Sequence, residues 1–332
     1  MNPILEIRDL EVTFRVGPML RRQDIQAVAG VSFEVRPGET FALVGESGSG
    51  KTTLARAANG LQPISNGSVH FDGQRIDGLS SSAMKPLRRD MAMMFQDPVG
   101  SLSPRMRVGD LVTEPFRIHG SAGVDLAAET QRLLSLVGLS TDFADRFPHQ
   151  LSGGQARRVG VARAIALNPR LIIADEPTAG LDVSVQGEVL NLLNDLREQL
   201  GLSIVIITHN LHVVRHVADR MAVMYLGRFV ETGPTDRIFS AASHPYTAAL
   251  LSANPEPDPG KAHERISLPA EVPSLLARPT GCEFHTRCPW AGDRCAGKAP
   301  QLAVEGTGDV AVSCHHPLAA GAKPPFRELR HD

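Results

Sequence analysis

A buried-strand pattern that runs directly into a glycine-rich loop constrains this chain most. Phe41-Ala42-Leu43-Val44 is continuously apolar and delivers Gly45-Glu46-Ser47-Gly48-Ser49-Gly50-Lys51-Thr52. The octapeptide fits G-x-x-x-x-G-K-[ST], and the residues from Thr52 to Leu61 read as a helix ending near Gly60. In a strand–loop–helix context the glycines let backbone N–H groups wrap nucleotide phosphates. Lys51 reaches the terminal phosphates and the Thr52 hydroxyl can ligate Mg²⁺. Thr53 follows in the same nucleotide-binding set.

Two more apolar runs end in polar residues suited to chemistry. Leu171-Ile172-Ile173-Ala174 ends at Asp175-Glu176, and Ile204-Val205-Ile206-Ile207 ends at Thr208-His209. Such runs suit parallel strands buried on both faces, in sheets whose ligands gather at the carboxyl ends of the strands. Helical patterns lie between them, over Asp125 to Val137, from an N-cap at Ser152 through Leu167, and over Val183 to Leu200 before Gly201. In the second, Val159, Ala162 and Ala166 share one face, and Arg157, Arg158 and Arg163 are expected largely elsewhere. The order predicts an α/β fold with right-handed crossovers, and about Gly109 to Phe147 reads as a helical insertion.

A second glycine loop is Leu151-Ser152-Gly153-Gly154-Gln155. It opens a helix, so it too presents N–H groups and a helix N-terminus to an anion. One nucleotide needs only one such cradle.

The 332 residues leave room for one large domain and a smaller one. With 42% hydrophobic and 21% charged residues the composition is that of a soluble globular protein. A net charge of −2 gives no basic footprint for nucleic acid. No apolar run approaches a membrane span, and Met1-Asn2-Pro3 lacks the basic-then-apolar form of a signal peptide, so cytoplasmic residence is expected. The Pro-rich stretch from Asn254 to Gly260 reads as a linker. Beyond it lie all four cysteines, Cys282, Cys288, Cys295 and Cys314, in a segment expected to form a separate small unit. Their spacing is not that of a zinc ribbon. Residues alone leave open buried free thiols, a zinc site and an iron–sulfur cluster.

Asp175 can hold Mg²⁺ through water, and Glu176 can orient or deprotonate an attacking water. His209 can reach the γ-phosphate and that water. Gln96, after Met91-Ala92-Met93-Met94-Phe95, can sense the same groups, and Phe14 can stack on adenine.

The order Gly45–Thr52, Gln96, Ser152–Gln155, Asp175-Glu176, Asp182 and His209 resembles the nucleotide-binding domain of ABC transporters. More narrowly, several stretches resemble the oligopeptide/dipeptide permease ATPases, in particular the second ATPase of the pair, the F-type subunit. They are Phe95-Gln96-Asp97-Pro98 with Ser101-Leu102-Ser103-Pro104-Arg105-Met106, His244-Pro245-Tyr246-Thr247, and Gly281-Cys282-Glu283-Phe284 with Arg287-Cys288-Pro289. The resemblance runs from about Ile4 to His316. It implies a RecA-like core sheet, an N-terminal antiparallel β subdomain, a helical subdomain over about 100–165, a nucleotide-binding domain over 1–253 and a cysteine-bearing extension over 254–332.

It also implies roles. Phe14 stacks on adenine, and Gly45, Glu46, Ser47, Gly48, Ser49, Gly50, Lys51 and Thr52 cradle the phosphates. Thr52, Gln96 and Asp175 serve Mg²⁺, with Gln96 linking it to a transmembrane partner. Glu176 is the catalytic carboxylate and His209 the switch histidine. Asp182 lies on the loop that crosses a dimer, and Ser152, Gly153, Gly154 and Gln155 bind the γ-phosphate held by the opposite subunit. The cysteines are expected to hold a [4Fe–4S] cluster. The expected activity is ATP hydrolysis driving an importer, at the cytoplasmic face of the membrane. The partners are two permease subunits, a second ATPase (a sister chain rather than a copy) and indirectly a solute-binding protein. Soluble ABC ATPases acting on DNA or ribosomes and ABC exporters are the competing classes.

There are departures from the family pattern: Phe14 for a frequent Tyr, Ser103 for Asn, Ala179-Gly180 for Ser-Ala, and Asn210 for Asp. None removes a phosphate ligand or Glu176.

Overall fold

The apolar runs become the parallel centre of an eight-stranded sheet. In the computed structural model, described over residues 2–18, 22–97, 100–120, 122–253, 265–269, 271–304 and 308–319, the strands Met91–Met94, Leu171–Asp175, Ser203–Thr208, Thr40–Val44 and Arg220–Tyr225 lie side by side in that order, all parallel. Every residue of Thr40–Val44, Leu171–Asp175 and Ser203–Thr208 is buried. Burying each Val, Leu or Ile contributes about 1.5–3 kcal/mol, and helices on both faces supply the partners.

Strand order sets the position of the site. The phosphate-loop strand lies beside Ser203–Thr208, which lies beside Leu171–Asp175, so the carboxyl ends carrying Gly45, His209 and Glu176 are adjacent. A second, antiparallel sheet pairs Gln23–Val35, Leu5–Val16, Asn66–Phe71 and Gln74–Arg75 in that order. Its inner face packs with Phe41, Leu43 and the helix Lys51–Ala58 in one core.

The helical insertion comprises Val108–His119, Leu126–Leu136 and two short 3₁₀ turns, leading to the helix Gly153–Ile165. Its boundaries follow local chemistry. The Asp125 side chain accepts the N–H groups of Ala127 and Ala128, and Gly120 ends the preceding helix in the left-handed conformation.

The cysteine-bearing segment does not build a core of its own. It is too poor in apolar residues, and it packs against the large one: Phe284, 2% exposed, joins that core, with Cys282 and Cys288 against it. Ala311–Val312 pairs antiparallel with Glu231 and Thr232, and Ala303–Val304 pairs with it in turn. Pro98 and the stretch from Asn254 to Gly260 lie outside the described residues. Among the described residues no helix is long and apolar enough to cross a membrane.

Candidate nucleotide site

The phosphate loop can form only with glycines at its tight points. Gly50 sits at φ 102, and a Cβ there would lie 2.3 Å from the Ala27 carbonyl oxygen. The loop folds around Lys51, whose ammonium donates to the Gly45 and Glu46 carbonyl oxygens, both at 2.8 Å, and approaches Ser49 Oγ at 3.3 Å. Burial lowers the Lys51 pKa, while Glu176, Asp175 and Glu46 pull it back up.

The Thr52 hydroxyl donates to Asp175 Oδ1 at 3.2 Å. Burial raises the Asp175 carboxyl and the Thr52 bond opposes it. These two hard oxygens fit Mg²⁺, which is bound through one or two protein groups plus phosphates rather than by an all-protein cage.

Glu176 follows its strand at φ 48, a left-handed conformation that costs a non-glycine residue about 1 kcal/mol or more. Its N–H donates to the Ile207 carbonyl at 2.8 Å, and its Oε1 lies 2.9 Å from His209 Nδ1. One cavity is lined by Gly45, Glu46, Ser47, Gln96, Glu176 and His209, so the loop and all three expected catalytic residues converge. Thr53 is half-buried on the helix beyond the loop. Phe14 is half-buried against the second core and does not line that cavity.

The second glycine loop lines a different depression, formed by Ser152, Gly153, Gly154 and Gln155 with Gly180, Leu181 and Asp182. Ser152 Oγ accepts the Gln155 N–H at 3.3 Å, and Gln155 Oε1 accepts the Ser152 N–H at 3.0 Å, a reciprocal cap. A Cβ on Gly154 would lie 2.8 Å from Val185, so only glycine allows this helix so near the helix Val183–Leu200. Asp182, the N-cap of that helix, is exposed and makes no side-chain cap bond; Val183 beside it is 85% exposed.

Sequence reasoning missed three residues. Arg157, expected off the packed face of its helix, is 3% exposed. Its guanidinium donates to the Glu176 carbonyl at 3.1 Å and to the Ala179 carbonyl at 2.7 Å, and burial lowers its pKa. It thus ties the helix of the second glycine loop to the backbone of Glu176. The Tyr246 hydroxyl accepts the Glu46 N–H at 3.0 Å, and Arg287 pairs with the Glu46 carboxylate. The only available signal was that these last two sit in the His244–Thr247 and Gly281–Pro289 stretches, which the resemblance had singled out.

The expectation of a metal centre on the four cysteines is not supported by their placement. None of the four forms a disulfide, and among the described residues no three His, Cys, Asp or Glu side chains are grouped to hold a metal ion. Burial raises the Cys282 thiol and holds Cys288 up at about 12, with charges on the other three cysteines adding to the Cys288 shift.

Comparison with known proteins places this geometry. The ABC transporter family matches residues 28–179, and the family described as oligopeptide/dipeptide transporter, C-terminal region, matches residues 230–295. The di/tripeptide transport ATP-binding protein DppF of Pseudomonas aeruginosa is 44% identical, over 95% of this chain and 98% of its own length. The oligopeptide transport ATP-binding protein OppF of Salmonella typhimurium is 43% identical over 94% of this chain and 95% of its own. Among solved structures, a dimeric ATP-binding cassette in a post-hydrolysis state bound to ADP and phosphate superposes with a TM-score of 0.64 at 28% identity, covering 70% of this chain and 98% of that one. A Clostridium perfringens cassette, part of the cbiONQ transporter complex, gives 0.61 at 29% identity, covering 72% and 91%.

Proposed function

The chain belongs to the ATP-binding subunits of oligopeptide/dipeptide ABC transporters, and on that premise we propose that it is the energy-coupling ATPase of an importer for di- or oligopeptides or a related solute. It works at the cytoplasmic face of a membrane, on two permease subunits served by an extracytoplasmic binding protein. The observation that carries the reading is the convergence of Gly45–Ser47, Gln96, Glu176 and His209 on one cavity, with the second glycine loop on another.

Within that cavity, backbone N–H groups of the phosphate loop and Lys51 hold the ATP phosphates. Thr52 and Asp175 would hold Mg²⁺, which would supply neutralisation of the phosphate charge. Glu176 takes the proton of a water whose oxygen attacks the γ-phosphorus as the bond to ADP breaks. His209, 2.9 Å from Glu176, fixes the carboxylate. The second loop completes the site of a neighbouring ATPase, so each subunit holds halves of two sites. The resemblance to the F-type subunit supports a sister chain as that neighbour. The cycle is then a packing switch: ATP closes the pair and hydrolysis reopens it.

The cysteines enter as a finer proposal. From the family resemblance we propose that they hold a shared iron–sulfur centre, with a structural role beyond the hydrolytic site. Iron and acid-labile sulfide in near-equal amounts in anaerobically purified protein support it, and absence of both ends it.

Co-purification tests the whole reading. Recovery with permease subunits and ATP hydrolysis lost on Glu176→Gln are expected. Recovery with ribosomes or DNA, or Glu176→Gln hydrolysing at the wild-type rate when assembled, overturns it.

A further inference from the structure

The cysteine-bearing extension touches the nucleotide site through one ion pair. Arg287 Nη1 donates to Glu46 Oε2 at 2.8 Å and Nη2 to Glu46 Oε1 at 3.0 Å, a parallel two-bond fork. The Arg287 side chain is 7% exposed and that of Glu46 29%. Glu46 is the second residue of the phosphate loop, and its carbonyl oxygen also accepts from the Lys51 ammonium. The guanidinium lies over the Tyr225 ring, 5.8 Å from its centroid, and Tyr225 packs on Tyr246 and Phe284. Tyr246 holds the Glu46 N–H. The loop is therefore gripped at both the backbone and the side chain of one residue.

The extension is also anchored a second time. Arg278 donates to the Gln26 and Leu226 carbonyls and to Glu283, and Gly227, next to Leu226, donates its N–H to the Ser49 carbonyl at 2.9 Å. Both anchors meet the body of the protein around the phosphate loop.

A carboxylate at this position faces a problem of charge. It lines the cavity that receives polyphosphate, and left alone it repels the γ- and β-phosphates. Paired with a buried guanidinium, its charge is offset and its position fixed.

We propose that Arg287 is a positioning residue for ATP binding: from the C-terminal extension it neutralises and orients Glu46, so that the phosphate loop accepts the nucleotide's phosphates. This rests on the reading of Gly45–Thr52 as the ATP cradle. The extension thereby contributes to the nucleotide site through Arg287, whereas Arg294, an exposed cation on the same extension, does not.

The test is equilibrium binding of trinitrophenyl-ATP with Mg²⁺ to the full chain, with circular dichroism checking the fold. Arg287→Gln should weaken binding about tenfold, the order expected for losing a charge-assisted fork. Glu46→Gln in the Arg287→Gln background should restore affinity to within about threefold of wild type, because the uncompensated charge is gone. Arg294→Gln should leave binding unchanged. If Arg287→Gln does not fold, Arg287→Lys takes its place, with a loss of about threefold expected because the single ammonium cannot fork. Wild-type affinity in the folded Arg287 variant, or a double variant as weak as the single, overturns the proposal. Lys51→Ala separates this from the underlying reading: if it binds as wild type, the cradle assignment itself fails.

Discussion

His209 Nδ1 stands 2.9 Å from Glu176 Oε1, and the two residues directly follow adjacent parallel strands. On the proposed reading, the contact joins the group that receives a proton to the group that senses phosphate. Glu176→Gln should lower assembled ATP hydrolysis by about 10²–10³-fold while ATP still binds, since general-base assistance contributes about that much. Single-turnover hydrolysis alongside equilibrium binding checks it.

Arg157 fixes the backbone of the same glutamate. Arg157→Met leaves the Glu176 and Ala179 carbonyls without their charged donor, each a loss of about 1–3 kcal/mol. The expected outcome is a turnover reduced about tenfold or more with ATP affinity within about twofold, and partial recovery in Arg157→Lys. Equal losses in affinity and turnover would point to general destabilisation instead.

The two glycine loops line separate cavities, and on the proposed reading a lone chain holds only half of each site. A strictly monomeric preparation should bind ATP but hydrolyse it slowly. Ser152→Ala should cost about 1 kcal/mol of helix capping and depress hydrolysis at the neighbour's site. An assembly with Ser152→Ala in one subunit and Glu176→Gln in one subunit at a time identifies which site is lost. A monomer that turns over at the assembled rate would sink this account.

Acid should weaken the junction between the extension and the cassette. His244 is fully buried, and burial drives its pKa down to about 3, against a backbone bond to Ser313 that raises it. Its Nδ1 accepts the Tyr246 N–H at 3.0 Å and so must stay unprotonated. The folded value lies below the unfolded one near 6.5, so the unfolded chain binds more protons between them. Stability is then present above about 6.5 and falls as pH drops toward 3, by up to about 1.4 kcal/mol per pH unit. Urea midpoints between pH 7 and 4 should show a shallower slope for His244→Asn, which keeps a cap acceptor without titrating.

Much of the fold was legible because its boundaries are written locally. Asp125 and Gly201 bracket helices whose ends fall within a residue of the expected ones, and the apolar runs before Gly45, Asp175 and Thr208 all became buried strands. The convergence of Gln96, Glu176 and His209 followed from their strand ends. What could not be read were partners without local signature. Arg287 and Glu46 are 241 residues apart, and no periodicity links them. Arg157 was misplaced because its helix is packed on more than one side, so a single-face pattern failed. The cysteine segment was expected to stand apart because its composition changes; in the folded chain its apolar residues, Phe284 above all, complete a core built by others.

The hairpin of Ala303–Val304 and Ala311–Val312 has a protective consequence. Without them Arg228–Pro234 would present one side of its ladder to solvent as the rim of a six-stranded sheet, open to pairing with the same strand of a neighbouring molecule. Two short tail strands occupy that rim and end the sheet after a pair of residues each. Trimming the tail by proteolysis would therefore unmask a surface that invites disordered self-association.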